Sequence, residues 1–177
     1  MHSTQMPLDT TIIHVNLTRQ FRGGERQTLL LVENILANHP NFQQILIANP
    51  KGRLFNDARP LEKVDLIPSN SQLIGHNITA ATPNVIVHAH EARAVHWAYL
   101  HWLIKKTPYI ITRRVQDPIK TKWFNERTYG SAAACVAISN WISTHIESLG
   151  IKPTLIPSCY DSKIKQPPTR KLPQNNS

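Results

Sequence analysis

The chain of 177 residues carries a formal net charge of +9 and contains two cysteines. This length supports one sizeable hydrophobic core, so one domain is expected. The positive charge favours anionic partners such as phosphorylated small molecules, nucleic acid or an anionic membrane surface. So few cysteines exclude a disulfide framework, and neither pairs with another as CxxC, which favours a reducing, cytosolic setting.

The N-terminal residues 1–10 lack the basic start and apolar core of a signal peptide. No stretch of the sequence approaches the roughly 18 apolar residues that a membrane-spanning helix needs. We therefore expect a soluble, cytoplasmic protein whose positive charge allows peripheral contact with the inner face of an anionic membrane.

Short apolar runs alternate with helix-like segments along the chain. A strand is predicted at 11–16, and it is followed by a loop with Gly23 and Gly24 and by a helix that ends before Pro40. Further strands are predicted at 43–49, 63–69, 84–90, 109–114, 132–139 and 153–158. Helices are predicted at 51–58, weakly at 73–80, then at 91–106 and from the cap candidates Ser139 and Asn140 to Gly150.

The strands are continuously apolar, as in sheets covered by helices on both faces. The pattern predicts an α/β, Rossmann-like single domain with a mostly parallel sheet of about six to seven strands. Residues 1–10 are interpreted as an extension, 11–161 as the domain, and the polar, proline-rich residues 162–177 as a linker or tail.

Charged groups follow two of the predicted strands. His88 to Glu91 end the fourth strand, and Arg113 and Arg114 end the fifth. Open α/β sheets bind ligands in a crevice outside the carboxyl ends of their strands. These residues therefore predict a binding crevice.

Gly23 and Gly24 lie between a strand and a helix, where backbone N–H groups and the helix N-terminus can meet an anion. Their spacing matches neither the dinucleotide fingerprint nor a P-loop. The alternative is a turn that requires glycine only for its backbone angles.

The HxHE string at 88–91 raises the question of a metal site, but no cysteine or further carboxylate is near in sequence, and none is expected. His88 is interpreted as a hydrogen-bonded core residue. His90 and Glu91, at the strand end, are candidates for binding hydroxyl groups of a ligand or for a proton relay. Arg93 begins the next helix, and its side chain can point toward the crevice or away from it.

Arginine cannot act as a base at neutral pH, but it holds phosphate or carboxylate groups bidentately. Arg113 and Arg114 are therefore candidates for anion binding. A surface pair linked to Glu126 or Asp117 is the alternative. The basic, aromatic segment 120–130 is compatible with nucleic acid stacking, with lipid headgroups or with a solvated helix that buries its aromatic residues.

Five segments in this order resemble the N-terminal domain of glycosyltransferase family 4, retaining transferases of the two-domain GT-B fold. They are HVNLTRQFRGGERQTLLLVENIL, VIVHAHEARA, YIITRRV, AISNWI and IPSCYD, and the resemblance covers residues 11–161. It implies that the chain is the acceptor-side half, whether an excised domain or a truncated product. Nothing after Asp161 resembles the donor-binding domain, so the chain alone is expected to be inactive.

The resemblance also implies roles for individual residues. The glycine loop would contact the donor phosphate or sugar when the domains close, and Arg114 stands at or beside the position where many members carry a histidine. The candidate catalytic residues are His90, Glu91 and Arg114. The candidate acceptor-binding or phosphate-binding residues are Arg22, Gly23, Gly24, Glu25, Arg26, Arg93, Arg113 and Ser139. No cofactor is expected, because the nucleotide-sugar is a substrate held mainly by the absent domain.

The leading hypothesis is transfer of a sugar from a nucleotide-sugar to a sugar or lipid-linked acceptor in lipopolysaccharide or cell-surface polysaccharide synthesis. One alternative is a basic Rossmann-like module that binds RNA or another polyanion. The dispersed basic residues and the lack of a KH or RRM signature make nucleic acid the weaker expectation. Half of a sugar-nucleotide epimerase is the other alternative.

Overall fold

The computed structural model describes residues 10–80, 82–117, 119 and 123–158. They form a parallel sheet of seven strands in the order β3-β2-β1-β4-β5-β6-β7. The predicted tail and nearly all of the predicted N-terminal extension lie outside these residues, although the first strand already begins at Thr10. The predicted α/β, Rossmann-like fold is confirmed.

The strands are β1 (Thr10–Asn16), β2 (Gln43–Ala48), β3 (Val64–Pro68), β4 (Asn84–Ala89), β5 (Tyr109–Arg113), β6 (Ala134–Ala137) and β7 (Thr154–Leu155). The helices are α1 (Gly23–Asn38), α2 (Arg53–Ala58), α3 (Ala92–Lys105), α4 (Trp123–Gly130) and α5 (Asn140–Glu147). Among the described residues, no helix has the length and apolar character needed to cross a bilayer.

Helices cover both faces of the central strands, and each face has its own hydrophobic core. On one face Ile13 and Val15 of β1 pack with Trp97 of α3, whose side chain is fully buried. On the other face Val32 of α1 packs with Leu46 of β2 and the residues of α2. Because both faces are covered, apolar residues of the central strands are buried on either face, Ile13 and Val15 on one and Leu46 on the other.

The weakly predicted helix at 73–80 is wrong. Gly75 has a φ of +91°, which a right-handed helix does not accommodate. The segment instead lies against α3, where the indole N–H of Trp97 donates to the carbonyl of Ile74 at 2.7 Å and His76 stacks on the same indole. The positive φ of Gly75 and the contacts with Trp97 of α3 together determine the path of this segment.

The strand order reverses between β1 and β4. The chain proceeds from β1 outward to β2 and β3 and then returns to place β4 on the other side of β1. In such sheets a crevice opens outside the carboxyl ends of the strands at this point. The β1–α1 loop and the residues that follow β4 and β5 consequently meet at one edge of the sheet.

Candidate functional site

A crevice of about 650 Å³ opens at this edge, between the start of α1 and the segments after β4 and β5. A smaller pocket of about 280 Å³ adjoins it. Both are bordered by His90, Glu91 and Arg114. Seven of the predicted site residues line the larger crevice: Arg22, Gly23, Gly24, Glu25, His90, Glu91 and Arg114.

The glycine pair forms the first turn of α1 rather than a loop before it. Neither glycine has a positive φ, so the alternative that glycine is needed for its backbone angles does not hold. A Cβ added to Gly23 would meet no atom within 4 Å, and one added to Gly24 would lie 3.8 Å from Cδ of Arg114. The pair therefore leaves the first-turn backbone of a helix open to the crevice.

The chain between β1 and α1 is held from two sides. The backbone N–H of Leu17 donates to Glu91 at 3.2 Å, and the Asn49 side chain donates to the Leu17 carbonyl at 3.2 Å. Gly52 packs closely beneath, since a Cβ there would lie 3.1 Å from the carbonyl oxygen of Thr18. At the helix start, the Glu25 carboxylate accepts the N–H of Arg22 at 2.7 Å. These contacts fix the position of the glycine turn.

The structure places Glu91 as the N-cap of α3. Its carboxylate accepts the backbone N–H groups of Arg93 at 2.7 Å and Ala94 at 2.9 Å in addition to that of Leu17. Burial raises the pKa of Glu91, and the three hydrogen bonds oppose that rise. Glu91 thus ties the wall of the crevice at α3 to the strand β1.

His90 lies in the floor of the crevice with 3% of its surface exposed. Nη1 of Arg114 lies 3.2 Å from Nδ1 of His90, and Nε2 of His90 lies 3.1 Å from Nδ1 of His14. Burial lowers the pKa of His90 well below its usual value, and the charges of His88, Arg114 and His14 lower it further. Burial also lowers the pKa of His14, to about 4. Both imidazoles are therefore neutral at pH 7.

The hydrogen-bond partners determine where each imidazole proton lies. The amide of Gln44 donates to the carbonyl of Val32 at 3.2 Å, so its oxygen is the acceptor that faces Nε2 of His14 at 3.1 Å. His14 must donate from Nε2, which leaves its Nδ1 to accept from Nε2 of His90. Nδ1 of His90 then accepts from Arg114, a side chain that has only donors. Every bond in the chain has one donor and one acceptor.

His88 completes a cluster with His14 and His90, in which one ring nitrogen of each residue lies within 4.8 Å of the others. His88 donates to or accepts from the Thr112 hydroxyl at 2.7 Å, in agreement with its interpretation as a hydrogen-bonded core residue. Both ring nitrogens of His90 already have partners, Nδ1 of His14 at 3.1 Å and Nη1 of the Arg114 cation at 3.2 Å, so a metal ion would compete with these contacts. The donor set therefore fits a hydrogen-bonded cluster better than a metal centre.

The other candidate residues do not line the larger crevice. The Arg93 guanidinium donates to the carbonyl of Asn70. Arg113 borders the smaller pocket, where it donates to the Tyr129 hydroxyl at 3.1 Å and to the backbone carbonyl, not the carboxylate, of Asp117. Ser139 caps α5 by accepting the N–H of Ile142. Ser139 and Arg26 are not among the described residues that line either pocket.

The segment 120–130 is described from residue 123 and forms the solvated helix that was one of its three interpretations. Trp123, expected to be buried, is 66% exposed, and the Arg127 guanidinium lies 4.9 Å from the centre of its ring. Phe124 packs edge-to-face on Tyr99 of α3. The helix therefore contacts the domain through Phe124 and through the buried residues Thr128 and Tyr129, and not through Trp123.

The sequence interpretation missed His14 and Gln44. A signal was present, because each is a polar residue next to apolar residues within a predicted strand, and the structure shows that both are fully buried. Buried polar side chains require partners, so their positions indicated a buried polar network. In the part of the chain that the structure describes, every buried side-chain nitrogen and oxygen has a hydrogen-bond partner.

No protein-family model matches the chain, and no curated protein matches it in sequence. Solved structures do match. Anabaena HepE in complex with UDP and glucose superposes with a TM-score of 0.62 at 12% identity, over 85% of this chain and 45% of HepE. A second structure of HepE, in complex with UDP-glucose, gives the same TM-score and identity over 44% of that chain.

The lipopolysaccharide outer core galactosyltransferase WaaB superposes with a TM-score of 0.53 at 16% identity, over 81% of this chain and 43% of WaaB. At such identities the likeness establishes the α/β, Rossmann-like fold alone, which is consistent with an N-terminal GT-B domain. The chain spans less than half the length of each of these structures. The resemblance predicted from the sequence is confirmed at the level of the fold.

Proposed function

We propose that this chain is the acceptor-side half of a retaining glycosyltransferase, which transfers a sugar from a nucleotide-sugar to a hydroxyl group. Two fold relatives support this proposal: HepE, which was solved with UDP-glucose, and the galactosyltransferase WaaB. The chain spans less than half of each, so turnover would require a second, donor-binding domain.

One observation carries the proposal. The open first turn of α1, at Gly23 and Gly24, and the guanidinium-bearing side chain of Arg114 border the same crevice. A helix N-terminus and an arginine both favour a negatively charged group, and together they form a site suited to phosphate. The diphosphate of a nucleotide-sugar supplies that charge.

The chemistry proposed for these residues is electrostatic. When the bond from sugar to diphosphate breaks, negative charge grows on the leaving phosphate, and preorganised donors stabilise it most. Arg114 and the first-turn amides of α1 are such donors. His90 supports Arg114 with a neutral ring, and Glu91 holds α3 and β1 together, so neither needs to exchange a proton. The acceptor hydroxyl would be oriented beside the donor in the same crevice.

We further propose that the acceptor is a sugar or lipid-linked sugar of lipopolysaccharide or cell-surface polysaccharide. WaaB acts on the lipopolysaccharide outer core, and the net charge of +9 suits an anionic acceptor or an anionic membrane surface. Peripheral binding at the inner face of the membrane would bring the crevice close to such an acceptor.

The test is an NMR titration of the chain with UDP-glucose, UDP and inorganic pyrophosphate. We expect saturable binding of all three, with shifts concentrated at Gly23, Gly24 and Arg114. Arg114→Met should weaken pyrophosphate binding by roughly 10-fold or more, because a hydrogen bond to a charged group contributes about 1.5–3 kcal/mol. Lys152→Met removes the same charge from an exposed position outside the crevice and serves as the control.

Equal weakening by both variants would show that binding reflects net charge alone and would refute the proposed site. Salt-resistant binding of RNA without pyrophosphate binding would instead support the polyanion-binding alternative.

A further inference from the structure

The hydrogen bonds behind Arg114 end on the helix that contributes the other half of the crevice. From Arg114 they pass through His90, His14 and Gln44 to the carbonyl of Val32, which lies in α1. The first turn of the same helix carries Gly23 and Gly24. The guanidinium and the first-turn amides, which come from distant parts of the sequence, are thus connected through the core.

The direction of these bonds is fixed at both ends. Arg114 can only donate, and the carbonyl of Val32 can only accept. The two imidazoles and the Gln44 amide lie between these ends. They therefore have one arrangement of protons that satisfies every partner. A fully satisfied buried network of this kind resists rearrangement, because any other arrangement places two donors or two acceptors face to face.

The network is also shielded from water. His14 and Gln44 are fully buried, and His90 is 3% exposed. Asn16 lies two residues beyond His14 on the same face of β1 and adds a second link to the same helix. Its side chain donates to the Thr28 hydroxyl at 3.3 Å, and Thr28 donates to the carbonyl of Gly24 at 3.0 Å. The glycine turn and Arg114 are therefore both held by side chains on one face of β1 and β2.

We propose that His14 and Gln44 are positioning residues of the anion site: acting through His90, they hold Arg114 at a fixed distance from the first turn of α1 before the ligand binds. This inference rests on the proposed function, in which that site binds a diphosphate. An ordered arginine loses little further side-chain entropy on binding, so preorganisation strengthens affinity. His14 and Gln44 touch no ligand themselves.

The first test is the protonation pattern. Long-range proton–nitrogen NMR of the full chain at neutral pH should show His14 and His90 as neutral rings that each carry the proton on Nε2. A proton on Nδ1 of either ring, or a charged ring, would overturn the inference.

The second test separates positioning from folding. His14→Leu removes the acceptor for His90, whereas His14→Asn retains an oxygen near the place of Nδ1. Ile13→Val, on the adjacent position of β1 and in the opposite core, is the control for a mild packing defect. We expect His14→Leu to broaden the separate Nη–H signals of Arg114 and to weaken pyrophosphate binding by about 2- to 10-fold, as for one newly mobile side chain. His14→Asn should restore most of the sharpness of the Arg114 signals and most of the pyrophosphate affinity, and Ile13→Val should change neither quantity.

Gln44→Met provides a second variant if His14→Leu does not fold. It should also broaden the Arg114 Nη–H signals and weaken pyrophosphate binding. Pyrophosphate binding by His14→Leu or Gln44→Met at the affinity of the unmodified chain, with Arg114 signals unchanged, would overturn the inference and leave the proposed function intact. Failure of the unmodified chain to bind pyrophosphate would instead refute the proposed function.

Discussion

Gly24→Ala separates binding from stability. The added Cβ would lie 3.8 Å from Cδ of Arg114, an ordinary van der Waals contact, and the backbone of Gly24 needs no positive φ. The folded state should accept alanine, and helix propensity should raise the free energy of unfolding by up to about 1 kcal/mol. In the crevice, however, the methyl group would cover the first-turn backbone. Loss of one hydrogen bond to a charged group costs about 1.5–3 kcal/mol, which is roughly a 10- to 150-fold weaker affinity.

The assay combines urea unfolding with calorimetric titration of pyrophosphate. Gly130→Ala is the matched control, since a Cβ there would meet no atom within 4 Å and the residue lies outside both pockets. We expect both variants to fold at least as stably as the unmodified chain and only Gly24→Ala to lose affinity. Unchanged affinity in a folded Gly24→Ala variant would show that phosphate does not approach this helix end.

Three further predictions concern stability. Gly52→Ala should lower the free energy of unfolding by about 1–3 kcal/mol in urea, because its Cβ would lie 3.1 Å from the carbonyl oxygen of Thr18 and that backbone must move; an unchanged midpoint would contradict the close packing. Glu91→Ala should cost about 1–2 kcal/mol as a lost helix cap and should speed amide exchange at Leu17, whereas protection that stays the same would refute the link to β1. Finally, the pKa of His14 in the folded state is about 4, below the ordinary 6.5. The contribution of His14 to stability is therefore complete above pH 6.5 and falls by about 3 kcal/mol as the pH drops toward 4. His14→Asn should flatten that part of the pH profile.

The sequence predicted the sheet well because strands covered on both faces contain short runs of apolar, often β-branched residues, even where a polar residue such as His14 interrupts the run. It failed at 73–80, where the apolar and polar residues allow a short helix but the positive φ of Gly75 ends it. Sequence pattern contains no direct information on such a backbone angle, since glycine permits both signs of φ.

The site was predictable in part from the parallel arrangement of the strands. Residues at the carboxyl ends of parallel strands must meet, so the proximity of Arg114 and His90 to the glycine turn follows from the topology. The partnership of His14 with His90 does not, because they lie 76 positions apart and meet only through the register of β1 with β4. The structure shows Ser139 as the helix cap that the sequence predicted, and it gives Glu91 the same role for α3 at the border of both pockets.

Arg114 carries the longest side chain of the five residues that line both cavities. Its side chain borders both the cavity of about 650 Å³ and the neighbouring pocket of about 280 Å³. We expect a shorter residue at this position to widen the space between the two cavities toward Arg113 and Tyr129. Exchanging this one side chain therefore offers a direct route to a binding site for bulkier molecules.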